Sequence, residues 1–183
     1  VVALTNNHND VDQIGIDLIG ASLPDSWGIG QPRETIRPMG FPVRTLDGLV
    51  GDWHLEGEIL GKRLVQEVKV EWVLGGAYLR MHYLPSTVTP LTDTPYEAFA
   101  FIGWDPAEQG HLMMFLFDTF GAAYSTPGPG SPLEDGGVRF AFPYRQGEFV
   151  TDVIPEGDGW SIKQFSREDD RLVPFGVKHL TRS

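Results

Sequence analysis

The stretch LVGDWHLEGEILG, Leu49 to Gly61, decides how the chain folds. From Asp52 onward it alternates. Trp53, Leu55, Gly57 and Ile59 fall on one face, and Asp52, His54, Glu56 and Glu58 fall on the other. A two-residue period with one apolar face marks a half-buried strand. A glycine-x-tryptophan leads directly into it, and that needs a reason.

Reading outward, the same rhythm repeats. LVQEVKVEWVL follows after Gly61-Lys62, with Val68, Val70 and Trp72 opposed to Glu67, Lys69 and Glu71. Gly75-Gly76 turns the chain into AYLRMHYL. A loop with Pro85, Pro90 and Pro95 leads to YEAFAFIGW, and a turn from Asp105-Pro106 to Gln109-Gly110 leads to HLMMFLFDT. STPGPGSPLEDGG reads as a flexible loop near a barrel mouth, followed by VRFAFPY, EFVTDVI, WSIKQFSRE and LVPFGVKHLTR with short turns between. That makes about nine strands at even spacing, the pattern of an all-β antiparallel meander, sandwich or barrel. An up-and-down barrel pairs its first and last strands and leaves no edge. Such closure sets Lys178–Arg182 beside Gly51–Leu55.

YEAFAFIGW and HLMMFLFDT are apolar on both faces, so their outer faces need cover. The N-terminal arm is the favoured cover, and a second copy of the chain leaves a homodimer open. Residues 1–46 form this arm, and residues 47–183 the barrel. Within the arm, NDVDQIGIDLIGAS places Val11, Ile14 and Leu18 at helical spacing, and the segment beyond it is irregular and rich in proline and glycine. The arm still carries Trp27, Ile29, Ile36, Met39 and Phe41, more apolar groups than a disordered tail holds.

The formal net charge of −11 disfavours nucleic acid and anionic membrane as partners. The absence of cysteine removes thiolate chemistry and cysteine-ligated metal, and fits a cytoplasmic location. VVALTNNHND has neither the basic start nor the apolar core of a signal peptide. No histidine pair has metal-ligand spacing, GPGSPLEDGG lacks the ending of a phosphate loop, and no G-x-S-x-G elbow occurs.

The G-D-W entry resembles the G-x-W start of lipocalins and their calycin relatives. In order and spacing, LVGDWHLEGEI, VEWVLGGAYLRMHY, YEAFAFIGWDPAEQGHLMMFLFDTFG and the terminal HLTR are similar to the lipocalin-like DUF1579 family, a domain of unknown function. The chain differs from that family in having Trp104 where a tyrosine is usual, and in its arm. The resemblance implies a single calycin-like barrel of about nine to ten strands. It implies that Trp53 closes one end and that Arg182 packs across it, as a guanidinium stacks well on an indole. More distantly, the two ends of the chain resemble nitrobindin, a haem-binding barrel, with His179 in the place of its last-strand histidine.

If Phe175 and Val177 face the lumen, His179 does too, either as a haem ligand, as an acid or base, or as a hydrogen-bonded group at the barrel floor. Asp118 lies in phase with Leu112, Met114 and Leu116. It is either a proton-transfer carboxyl with a raised pKa or a strand-end turn residue. Gln66 shares a face with Val68 and Val70. His54 and His82 fall on polar faces if Trp53 and Met81 point inward, but a one-residue slip in AYLRMHYL brings Tyr78, Arg80 and His82 into the lumen, with Arg80 as an anion anchor. Trp72, Tyr83, Trp104, Phe115 and Phe142 supply aromatic surface for core or pocket.

The reading is therefore a binding barrel for a small apolar molecule, without a cofactor. The alternative is a metal-free cyclase or isomerase that uses Asp118 and His179 with the arm as lid. Nitrobindin-like haem binding through His179 stands third.

Overall fold

The computed structural model describes residues 43–86, 94–105 and 111–183. The expected arm lies outside them apart from its last residues, which open a short helix α1 (Val43–Asp47). Ten strands follow: β1 (Gly51–Ile59), β2 (Lys62–Val73), β3 (Tyr78–Tyr83), β4 (Ala98–Asp105), β5 (His111–Asp118), β6 (Gly128–Pro132), β7 (Val138–Tyr144), β8 (Gly147–Glu156), β9 (Gly159–Glu168) and β10 (Arg171–Arg182). Each pairs with its neighbour in sequence, and β10 pairs with β1, so the sheet is a closed antiparallel barrel. No helix among the described residues is long and apolar enough to cross a membrane.

The alternation in β1 has the expected sense. Trp53, Leu55 and Ile59 are buried in the core. Closure pairs Trp53 with Arg182 and Gly57 with Lys178, so residues 178–182 face 53–57, two residues beyond the expected partners.

Strand β6 was not expected. Its sequence, GPGSP, reads as loop because glycine and proline are poor strand formers. The rings of Phe142 and Phe140 explain the glycines. A Cβ on Gly128 meets the Phe142 ring at 2.8 Å, and one on Gly130 meets the Phe140 ring at 2.8 Å. The rings of β7 cover β6 and replace the side chains that it lacks.

Strand β10 carries a bulge. Its register against β9 shifts between Pro174 and Gly176. A bulge inserts one residue and reverses which side chains face inward. At the bulge, Phe175 packs against the core; after it, Lys178 and Leu180 are buried and His179 is exposed.

Candidate functional site

The two ends of the barrel are built differently. At the first, the Arg182 guanidinium lies 4.0 Å from the centroid of the Trp53 ring. It donates to the carbonyl oxygens of Val50 (2.8 Å) and Gly48 (3.2 Å), while Trp53 Nε1 donates to Leu49 O at 2.6 Å. Leu46, within α1, and Leu49, just after it, are buried. The glycine of G-x-W now has its reason. Gly51 has φ +141°, and a Cβ there overlaps the Arg182 guanidinium. Only glycine lets the arginine lie over the tryptophan.

The other end holds a cavity of about 310 Å³. Its apolar wall is Ile59, Leu64, Leu116, Phe149 and Phe175. Its polar groups are Asp118, Lys178, Gln164 and three tyrosines, Tyr96, Tyr124 and Tyr144. Phe120 and Tyr124, both partly exposed, flank its mouth.

Lys178 is 5% exposed. Burial lowers its pKa to about 8, and the Asp118 charge opposes that shift. Its Nζ stands 6.0 Å from the Tyr83 ring centroid. Among the described residues no side chain hydrogen-bonds to it, and Asp118 acts on it only through space. Asp118 accepts the Phe120 N–H at 2.9 Å and the Tyr96 hydroxyl at 3.4 Å. Burial nonetheless raises its carboxyl above the ordinary aspartate value. Tyr96 is pushed well up by burial and by the Asp118 charge, and burial pushes Tyr144 up to about 12. The Gln164 Oε1 atom is buried without a hydrogen bond.

Of the catalytic and ligand-binding candidates read from the sequence, Asp118 alone lines this cavity, together with Leu116 and Phe175, which were expected to face inward. Gln66 and Tyr83 are buried nearby. Gln66 Nε2 donates to Leu84 O (2.5 Å) and Tyr96 O (3.0 Å), so it fastens the β3–β4 connection. Tyr83 packs its hydroxyl on the Met81 sulfur at 3.9 Å. Phe142 is buried and stacks on Tyr144 with centroids 5.8 Å apart. Trp72 donates Nε1 to Asp47 Oδ1 at 2.8 Å beside α1, and Trp104 packs on the core.

Four expected positions need correction. His179 is outside, its side chain 54% exposed, with Nδ1 3.2 Å from Glu156 Oε2. The β10 bulge put it there. Arg80 and His82 are on the outer face because Leu79, Met81 and Tyr83 take the inner one, so the one-residue slip does not occur. Arg80 pairs with Glu71, and His82 pairs with Glu97 at 2.8 Å and stacks on Phe99. Phe115 is also outward, in phase with exposed Phe117 and edge-on to Tyr78. None of the described residues lining the cavity is a histidine, and His179 faces away from it. Among the described residues no cluster of His, Cys, Asp and Glu suits a metal ion.

The sequence reading missed Lys178, Tyr96, Tyr144 and Gln164. Tyr144 was within reach, since Phe140, Phe142 and Tyr144 alternate onto one face. Lys178 was too, because it shares parity with Leu180 and Arg182.

No family model and no curated protein matches the chain, so the DUF1579 resemblance is carried by its motifs alone. Among solved structures, the barrel is similar to an S-type phycobiliprotein lyase from Guillardia theta. The TM-score is 0.53 at 8% identity, over 76% of this chain and 91% of that one. At that identity the likeness is one of fold, and the fold is a lipocalin-like barrel.

Proposed function

We propose that the barrel binds a small, largely apolar molecule in its lumen, held at one polar end by Lys178 and the Asp118–Tyr96 pair. One observation carries this reading: buried Lys178 lines an apolar cavity, and its ammonium has no hydrogen-bond partner among the described residues. A buried charge left without a hydrogen bond is costly, and a ligand that supplies an acceptor offsets the cost. Apolar walls with a few convergent polar groups are the usual form of a small-molecule site.

A cyclase or isomerase on the same barrel has its own support. Asp118, raised by burial and touched by Tyr96, is suited to proton transfer in an apolar cavity. The lid assigned to the arm lies outside the described residues. His179 does not serve this reading, since it faces away from the lumen.

Titration with 1-anilinonaphthalene-8-sulfonate, an apolar fluorophore with one anionic group, tests the binding reading. Fluorescence enhancement with one saturating site is expected. Lys178→Met is expected to weaken binding about tenfold. Affinity is also expected to fall as pH rises through about 8, where the ammonium loses its charge. No saturable enhancement in a folded wild-type protein sinks the reading.

A further inference from the structure

The choice of lysine at this position is informative. Arginine forks onto anions better and keeps its charge under burial. Lysine differs in two ways: its proton can leave, and the nitrogen beneath is then a nucleophile. The chain has four lysines. Lys62, Lys69 and Lys163 are exposed, and Lys178 alone of the four is buried and lines this cavity. The same cavity holds a carboxylate that does not contact it. Those are the parts of an imine site: a desolvated amine, a nearby acid, an apolar chamber and an opening for water.

We propose that Lys178 is a covalent anchor, condensing through Nζ with a small apolar aldehyde seated in the cavity, with Asp118 as acid and counter-ion. The proposal rests on reading the cavity as a binding site for small apolar molecules. In the first step the Nζ lone pair forms a bond to the carbonyl carbon. A proton passes from nitrogen to oxygen and gives a carbinolamine. The Asp118 carboxyl then protonates the hydroxyl, the C–O bond breaks, and water leaves past Phe120 and Tyr124 as the C=N bond forms. The product is a protonated imine opposite the Asp118 carboxylate. No electrons are gained or lost, and one water is released for each imine.

Two features favour this reaction at neutral pH. Burial lowers the Lys178 pKa to about 8, so roughly a fifth of the amine is neutral at pH 7.4, against about one part in a thousand for an ordinary lysine. The raised Asp118 carboxyl holds its proton to higher pH than an exposed aspartate and so serves as an acid. Tyr96 donates to Asp118 at 3.4 Å and keeps it oriented. The aromatic lining from Tyr96, Tyr144, Phe149 and Phe175 suits a flat conjugated aldehyde.

The test uses 4-(dimethylamino)cinnamaldehyde, whose absorption moves strongly to the red when its imine is protonated. The wild-type chain is incubated with the probe at pH 7.4 and reduced with sodium cyanoborohydride. The adduct is then located by peptide mass mapping. The expected result is labelling at Lys178 at least about tenfold faster than at Lys62, Lys69 or Lys163, with a red-shifted band. Lys178→Met is expected to lose both. Asp118→Asn is expected to slow adduct formation about tenfold or more, because the carbinolamine loses its acid, and to lose most of the red shift, because the imine loses its counter-ion. Labelling spread evenly over the exposed lysines overturns the proposal, as does a red-shifted band that survives in Lys178→Met. The anilinonaphthalene sulfonate titration separates the two readings. Saturable fluorophore binding without Lys178 labelling removes the covalent step and leaves the binding site. Absence of both removes both.

Discussion

The Trp53 end and the Lys178 end of this barrel each place a basic side chain of β10 against inner aromatic surface, and the two cations are treated in opposite ways. Arg182 rests on Trp53 with two backbone carbonyls accepting from it, at the rim where water reaches it. Lys178 is drawn inside, is given no hydrogen bond, and faces a carboxylate at a distance. The first arrangement adds stacking and charge-assisted hydrogen bonds with little desolvation, so it favours the fold. The second carries the full cost of burial. A protein keeps such a cation when something other than stability depends on it. The packed end holds the barrel shut, and the costly end is where chemistry is expected.

The largest effect that separates the ends is expected at Trp53. Its ring is 1% exposed, and it joins the turn after α1 to β1 and β10. Trp53→Ala leaves a cavity and an arginine with no ring beneath it. The expected loss is about 4 kcal/mol, or a Tm fall on the order of 10 °C, measured by thermal unfolding. A fall below about 1 kcal/mol breaks the claim that this end carries the closure.

Lys178→Met is expected to act in the opposite direction. Folded Lys178 loses its proton near pH 8, and an unfolded lysine does so near 10.5. Between those values the unfolded chain holds more protons, so wild-type stability climbs as pH rises across the window. Below pH 8 both states are charged and the whole burial cost is present, about 3 kcal/mol. Lys178→Met removes that cost at neutral pH, so Tm is expected to rise by on the order of 5–10 °C, and the climb between pH 8 and 10.5 is expected to vanish. Chemical denaturation at pH 7 and pH 10 measures both. A destabilised variant at pH 7 breaks the contrast between the two ends.

The same contrast explains what was legible in the sequence. The barrel was, because period-two alternation and short turns mark strands wherever one face is buried, and β1, β2 and β7 keep that period throughout. Strand β6 was hidden because its partners supply the rings that its own residues lack. Asp118 was legible because β5 is regular up to its end, so Leu112, Met114, Leu116 and Asp118 share one face. Tyr96 precedes β4 and gave no periodic signal.

Lys178 and His179 were exchanged by one extra residue. Phase counted forward from Phe175 puts Val177 and His179 inside. Phase counted back from Arg182 puts Leu180 and Lys178 inside. Both counts cannot hold in a regular strand, and their conflict is itself the signature of a bulge, which the structure places between Pro174 and Gly176. His179 supplies the smallest effect and the sharpest control. It sits one residue from the buried lysine, yet among the described residues its ring pairs with Glu156, and both side chains are more than half exposed. Such a pair contributes little to stability. His179→Ala is expected to change stability by less than about 0.5 kcal/mol and to leave fluorophore binding within twofold of wild type. A large change in binding places the imidazole in the lumen, removes the bulge from the account of β10, and takes Lys178 out of the cavity with it. Because adjacent residues of a strand face opposite ways, His179 and Lys178 cannot both point inward, and this substitution tests the lysine's position without touching it.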